Sequence, residues 1–395
     1  MKPRLVVVLL VSAGLFAACS TAPKTGMVPL ANPDLSGWHD DGSMESLEQS
    51  AKESIRYYQS LPSSRLFIYG KESYTPQEMI QSLTLFLKII QDSPDWDVFR
   101  QMVVRNFDVY ESIGETRNLL TGYYFPQVKA SLVRTKTMGA PLYGPPDNLL
   151  VINLSQFGVS NPARQTLVGR VEGGKVAPYY TRREIQEKSA LEGKAEPLAY
   201  VNKVDLFFLQ TQGSGELLFE DGSKMMVSYA GSNGHKYRSI GNELIRRDVM
   251  KKDEVTMQSI RAYLEAHPEK IRPILNSNPS YTFFKASQGG PVGAIGVPLT
   301  RERSVAADFR YFPRGGLVFL STEVPVPGET TDTRPMNRFL LVQDAGGAIR
   351  GHGRLDVFWG EGEVAEWVAG HLKHTGRIFH LVAKKKFLEK SLAGN

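Results

Sequence analysis

One cysteine, Cys19, in 395 residues excludes a disulfide framework. No stretch after residue 20 approaches the ~20 apolar residues that a spanning helix needs, which excludes a multi-pass membrane protein. The surplus of one charge over the other is small as well. Lys and Arg total 47 against 41 Asp and Glu, and two of the basic residues, Lys2 and Arg4, lie in a segment expected to be removed. So small a surplus, with one dense basic run at Lys384–Lys386, gives no footprint for nucleic acid. The G-x-S-x-G elbow, the P-loop and H-E-x-x-H are all missing. His371 and His374 stand three apart on an expected helix, but no cysteine or carboxylate pair lies near them. They read as packing and helix-terminus residues, so no metal site is expected.

With 42% hydrophobic and 22% charged residues, the body of the chain is globular. Residues 1–18 read as a signal peptide: Lys2 and Arg4 form the charged start, Leu5 to Phe16 the apolar run, and Ala17-Ala18 the small residues before cleavage. Cys19 follows at once, and Leu15-Phe16-Ala17-Ala18-Cys19 resembles a bacterial lipobox. Lipidation of Cys19 is therefore expected, and Ser20 after it favours the outer membrane of a Gram-negative cell, with the protein facing the periplasm. Residues 19–44, rich in Pro, Gly, Ser and Asp, read as a tether.

Three helices should follow. Leu47, Ala51, Ile55 and Tyr58 share a face; Thr75-Pro76-Gln77-Glu78 combines an N-cap, a first-turn proline and a capping-box glutamate; Ser93-Pro94 opens a third helix with Trp96, Phe99 and Val103 inward. From Asn118 the pattern turns to short β-branched or aromatic runs, including Leu149–Leu154, Val204–Leu209 and Lys224–Tyr229, all read as strands. A helical interlude is expected from Ser239 to Ala266. Further strands are expected at Leu317–Val326, Arg338–Gln343, Leu355–Trp359 and Arg377–Ala383, with a helix at Glu363–His374 capped by Gly376. Many short strands at close spacing favour barrels over a parallel α/β sheet.

Two kinds of residue point to chemistry. Tyrosines among Gln, Thr, Ser and Gly, as in Thr121-Gly122-Tyr123-Tyr124-Phe125-Pro126, Gln210-Thr211-Gln212-Gly213-Ser214-Gly215 and Tyr229-Ala230-Gly231-Ser232-Asn233-Gly234, suit a carbohydrate cleft, although each also reads as a turn beside a strand. Three aspartates lie near strand ends: Asp308, Asp344 and Asp356. Asp356 sits within the apolar run Leu355-Asp356-Val357-Phe358-Trp359, where burial should raise its pKa as a general acid requires. Gly346-Gly347 should let backbone come close behind Asp344. The alternative is that these carboxylates cap turns or pair with Arg310 and Arg354.

The strings LTGYYFP, DLFFLQTQGSG, YAGSNGHKYRSIG, NPSYTFF, GVPLTRERSVAAD, QDAGGAIRG and RLDVFWG, in this order, resemble the membrane-bound lytic murein transglycosylase A family, from about Leu120 to Leu381. The resemblance implies a mainly β protein with helices: a double-ψ β-barrel built from residues 45–126 and 286–395, an inserted second β-barrel over 127–285, and a glycan groove between them. It implies Asp356 as the catalytic acid, Asp344 and Asp308 as its companions, and Thr121, Tyr123, Gln212 and Ser214 along the groove. The implied reaction cuts the β-1,4 bond between N-acetylmuramic acid and N-acetylglucosamine in peptidoglycan and leaves 1,6-anhydro ends, without metal or organic cofactor. Two other readings stay open: a glycoside hydrolase using a carboxylate pair, and a lipoprotein that binds peptidoglycan without cutting it.

Overall fold

The computed structural model describes residues 26–115, 117–159, 166–329 and 331–388; the signal peptide and Cys19 lie outside them. Strand β1 (Gly26–Pro29) precedes helix α1 (Met44–Gln59), the hairpin β2 (Phe67–Tyr69) and β3 (Glu72–Tyr74), helices α2 (Pro76–Asp92) and α3 (Trp96–Asn106), and strands β4 (Phe107–Ile113) and β5 (Leu119–Phe125). Residues 127–287 then supply β6 (Gln127–Ser131), β7 (Ala140–Tyr143), β8 (Leu150–Asn153), β9 (Thr166–Glu172), β10 (Lys175–Pro178), α4 (Arg182–Glu187), β11 (Pro197–Val201), α5 (Lys203–Gln212), β12 (Ser214–Leu218), β13 (Lys224–Ser232), α6 (Ile240–Arg246), α7 (Met257–Ala266), α8 (Pro268–Leu275) and β14 (Thr282–Ser287). The chain returns with β15 (Ser304–Ala307), β16 (Leu317–Pro325), β17 (Thr333–Asp344), β18 (Arg354–Glu361), α9 (Glu363–His371), β19 (Lys373–Ala383) and α10 (Lys385–Leu388).

Strand β19 pairs with β4, β16 and β5, so β19-β16-β17-β15-β18-β5 close into a ring, with β4 and β1 attached outside it. Alternation fills the ring: Leu355, Val357 and Trp359 of β18 meet Leu120, Val305 and Leu340 in one buried cluster. The outer faces of β16, β17 and β19 carry Phe319, Phe339 and Phe379, which α1–α3 cover with Phe86 and Phe99. Helix α2 starts with the expected capping box between Thr75 and Glu78, whereas α3 begins at Trp96, capped by Asp95. The intervening segment forms a six-stranded sheet, β14-β13-β12-β6-β11-β7, whose edge strands approach one another, the Tyr281 hydroxyl donating to Pro141 O at 3.1 Å. No helix among the described residues is long and apolar enough to cross a membrane.

Four expectations are corrected. Residues 26–43 are not a free tether: β1 pairs with β4, Trp38 stacks on Phe319 at 4.3 Å, and Asp40 meets Arg303 through two 2.7 Å contacts with both side chains buried. The low apolar content of this stretch concealed burial driven by one indole and one ion pair. Val204–Leu209 lies in helix α5, started by the Asn202 cap and ended by Gly213 at φ 84°. Leu206 and Leu209 enter the core of the six-stranded sheet while Phe207 and Phe208 enter a helical cluster with Leu244 and Leu264, so apolar residues all round erased the helical period. The interlude is two helices, α6 and α7, and Pro268 begins a third, α8, as its first residue. Helix α9 stops at His371, because residues from Lys373 join β19; His374 is on that strand, and Gly376 is no cap but pairs with Thr322.

Candidate active site

Strand β18 turns alternate residues outward, so Asp356 leaves the ring core while its neighbours Leu355 and Val357 fill it. It lies directly opposite Thr121 of β5 on one side and Ala306 of β15 on the other. The Thr121 hydroxyl donates to Asp356 Oδ1 at 2.6 Å. Burial pushes the Asp356 carboxyl up to about 6; the Thr121 hydrogen bond and the Arg354 charge oppose that rise, and the Asp344 charge adds to it. The residue as a whole is partly, not fully, buried.

Asp344 ends β17, and its register partner in β15 is the same Ala306. Its carboxylate accepts from the Tyr123 hydroxyl at 2.8 Å, from Ala345 N at 2.8 Å and from Ala294 N at 2.9 Å. Burial raises its pKa, and these three donors oppose the rise. Ala294 belongs to the Gly/Pro-rich segment before β15, which wraps against Asp344 because a Cβ on Gly293 would lie 2.4 Å from Gln343 O. The expectation for Gly346-Gly347 is corrected: a Cβ on Gly347 would meet nothing within 4 Å, and Gly346 shapes a turn in which Ile349 N donates to its carbonyl.

Asp308, two residues beyond Ala306, has other partners. Arg310 Nε and Nη2 donate to it at 2.9 and 2.6 Å, and Gly351 N donates at 2.9 Å. Burial would raise this carboxyl, but Arg310 and Gly351 bring it below the ordinary aspartate value. Its chemistry is that of a clamp on the 345–353 loop, which joins Asp344 to Asp356. The alternative of pairing with arginine thus describes Asp308.

The expected groove residues fall into two groups. Thr121 and Gln212 line a cavity of about 710 Å³ between α5–α7 and the α9–β19 turn, with Phe207, Met257 and His371. Gln212 also accepts from Tyr124 N at 3.1 Å, tying α5 to β5. Tyr123 belongs to an apolar cluster with Phe125, Phe358 and Ala306, against which Met226 of β13 packs. Ser214 stands on β12 opposite Ser228. His371 stacks on Trp367 and shares no element with His374. Sequence reasoning missed Ala306 and Ala294, one a small residue and the other a backbone donor, neither marked by side-chain chemistry.

The comparisons bear on this geometry. The model described as MltA specific insert domain matches residues 119–285, and the 3D domain model matches residues 303–382. Membrane-bound lytic murein transglycosylase A of Escherichia coli K12 is 36% identical over 270 residues, 66% of this chain and 64% of its own length. The crystal structure of a membrane-bound lytic murein transglycosylase from Agrobacterium tumefaciens superposes with a TM-score of 0.73 at 25% identity, over 92% of this chain and 99% of that one. Escherichia coli MltA with bound chitohexaose superposes at 0.66 and 27% identity, over 91% of this chain and 95% of that one. Both domain models thus match in the order of a ring sheet interrupted by a second sheet, and the chain belongs to the membrane-bound lytic murein transglycosylase A family.

Proposed function

We propose that the protein is a lytic transglycosylase that cuts the β-1,4 bond between N-acetylmuramic acid and N-acetylglucosamine in peptidoglycan. The observation that carries this reading is Asp356: a carboxyl with its pKa near 6, hydrogen-bonded by Thr121, on a residue that is partly, not fully, buried. Such a group holds a proton under mildly acidic conditions and gives it up when a leaving oxygen needs it. Binding of glycan over it would exclude water and raise its pKa further.

Protonated Asp356 donates to the glycosidic oxygen, and positive charge develops at muramic C1. Asp344, across Ala306, stabilises that charge as a carboxylate. The Asp356 carboxylate then takes the proton of the C6 hydroxyl on the same sugar, whose oxygen attacks C1 and closes the 1,6-anhydro ring. No water is consumed, and an intramolecular hydroxyl has an effective molarity of up to ~10⁵ M or more when well oriented. Asp308 acts as a positioning residue through Arg310 and Gly351. The carbohydrate bound in the Escherichia coli relative's structure supports a glycan in the cleft.

The names of the curated relatives and the lipobox-like Leu15–Cys19 support a membrane-associated enzyme working in the periplasm, lipidated at Cys19 and held at the outer membrane. Mass spectrometry of fragments released from purified peptidoglycan tests the reaction. Products one water lighter than reducing muropeptides, absent with Asp356→Asn, are expected; reducing ends would overturn the transglycosylase.

A further inference from the structure

The second sheet presents a polar face beside the catalytic strands. Residues directly opposite in neighbouring strands share a face, and in β12, β13 and β14 one row reads Ser214, Ser228, Lys285. The adjacent row reads Glu216, Met226, Ser287. Met226 packs onto the cluster of Tyr123, Phe358 and Ala306, the last of which lies between Asp344 and Asp356. The opposite face of the same strands, with Leu217, Val227 and Phe284, fills the sheet's own core. The row Ser214-Ser228-Lys285 is therefore one step along the strands from a residue that touches the catalytic cluster.

The side chains of this row are unengaged. Among the described residues, neither serine hydroxyl nor the exposed Lys285 ammonium makes a hydrogen bond or ion pair, whereas Glu216 in the next row is held by Gln127 at 2.8 Å and Lys224 at 3.1 Å. Two strand spacings put Ser214 and Lys285 about 10 Å apart, within the reach of a four-carbon stem laid across the row. One ammonium and two hydroxyl donors, with the nearby carboxylate already neutralised, form a set of donors for an anion and offer no fixed acceptor charge of their own.

We propose that Lys285, with Ser228 and Ser214, binds a carboxylate of the substrate on the wall facing the catalytic strands. This rests on the reading of the cleft as a peptidoglycan site. Muramic acid carries a lactyl arm that ends in a carboxylate when bare, and in a peptide stem with its own carboxylates when substituted. Both sources offer the same chemistry, and N-acetylglucosamine offers none of it. The row would thus distinguish muramic from glucosamine units, and so set which sugar sits over Asp356.

The test is calorimetric binding to the full chain in detergent carrying Asp356→Asn, with and without Lys285→Ala or Lys285→Arg. The probes are stem-bearing glycan strands, strands stripped of stems, and chitohexaose. Lys285→Ala is expected to weaken stem-bearing strands about tenfold, the loss of one charge-assisted contact, to leave chitohexaose unchanged, and to be rescued in part by Lys285→Arg. Loss confined to stripped strands assigns the lactyl carboxylate, which is free only there; loss confined to stem-bearing strands assigns the peptide; equal loss for both shows that either carboxylate fills the same site. No loss for either kind of strand, or equal loss for all three probes, overturns the site. The products of the wild-type chain on the same strands are a separate readout: reducing ends would sink the transglycosylase and leave the carboxylate site standing.

Discussion

Asp356 and Asp344 are held by hydroxyls from a single strand: Thr121 donates to the first at 2.6 Å and Tyr123, two residues on, to the second at 2.8 Å. Both hydroxyls favour the charged carboxylate, yet the two carboxyls are proposed to work in opposite protonation states. Burial separates them from ordinary aspartates by raising both, and Asp356 rises to about 6. The proposed mechanism requires Asp356 protonated and Asp344 ionised, so the rate should fall above pH 6 and fall again where Asp344 takes up its proton.

Thr121→Val removes the donor that stabilises ionised Asp356. Its pKa must then rise above 6, and the alkaline limb of the kcat/KM profile should move up by about one pH unit, the size of one charge-assisted hydrogen bond. A pH–rate series on purified peptidoglycan measures this. An alkaline limb that stays in place or moves down would remove Asp356 from the acid's role.

Tyr123→Phe acts on the other limb. Asp344 loses one of three donors, its pKa rises further, and the acid limb should move to higher pH while the alkaline limb keeps its place. The profile narrows from the acid side alone. If both limbs moved together, the two carboxyls would be titrating as one coupled pair.

These paired hydroxyls also show what was legible beforehand. Asp356 within an apolar run, Asp344 at a strand end and the Thr121/Tyr123 string could be read as separate motifs, and the capping box at Thr75–Glu78 formed as spelled. What brings the motifs together is Ala306, shared in register by both aspartates, and register between partners 38 and 50 residues apart is not written in local pattern. Helix α5 was misread because its two flanks face two different cores. The 26–43 segment was misread because one buried ion pair outweighed its loop-like composition.

Asp308→Asn should lower activity through the loop and not through proton transfer. The clamp on Arg310 and Gly351 N weakens, so thermal stability should fall together with kcat, and both limbs of the pH profile should stay in place. Because the folded Asp308 pKa lies below its ordinary value, the stability it adds is full above the unfolded pKa and is lost as pH falls through the lower, folded one. Unfolding midpoints of wild type and variant should therefore converge in strong acid. A limb shift with unchanged midpoint would return Asp308 to the chemistry.

Asp40→Ala tests whether the 26–43 segment belongs to the fold. Arg303 is buried, and besides the two oxygens of Asp40 its guanidinium donates to Phe339 O, Ser43 O and Ser46 Oγ. Removing the carboxylate leaves a buried cation with carbonyl and hydroxyl acceptors alone, which costs about 3–5 kcal/mol when a buried pair is broken from one side. Urea unfolding should show that loss. Asp40→Ala with Arg303→Met should recover part of it, because the second change removes the stranded charge. Arg303 immediately precedes β15, whose Ala306 lies between the aspartates, so the single variant should also lose activity before it unfolds. A variant with wild-type stability would mean that the strap is dispensable and that the ring alone holds β15 in register.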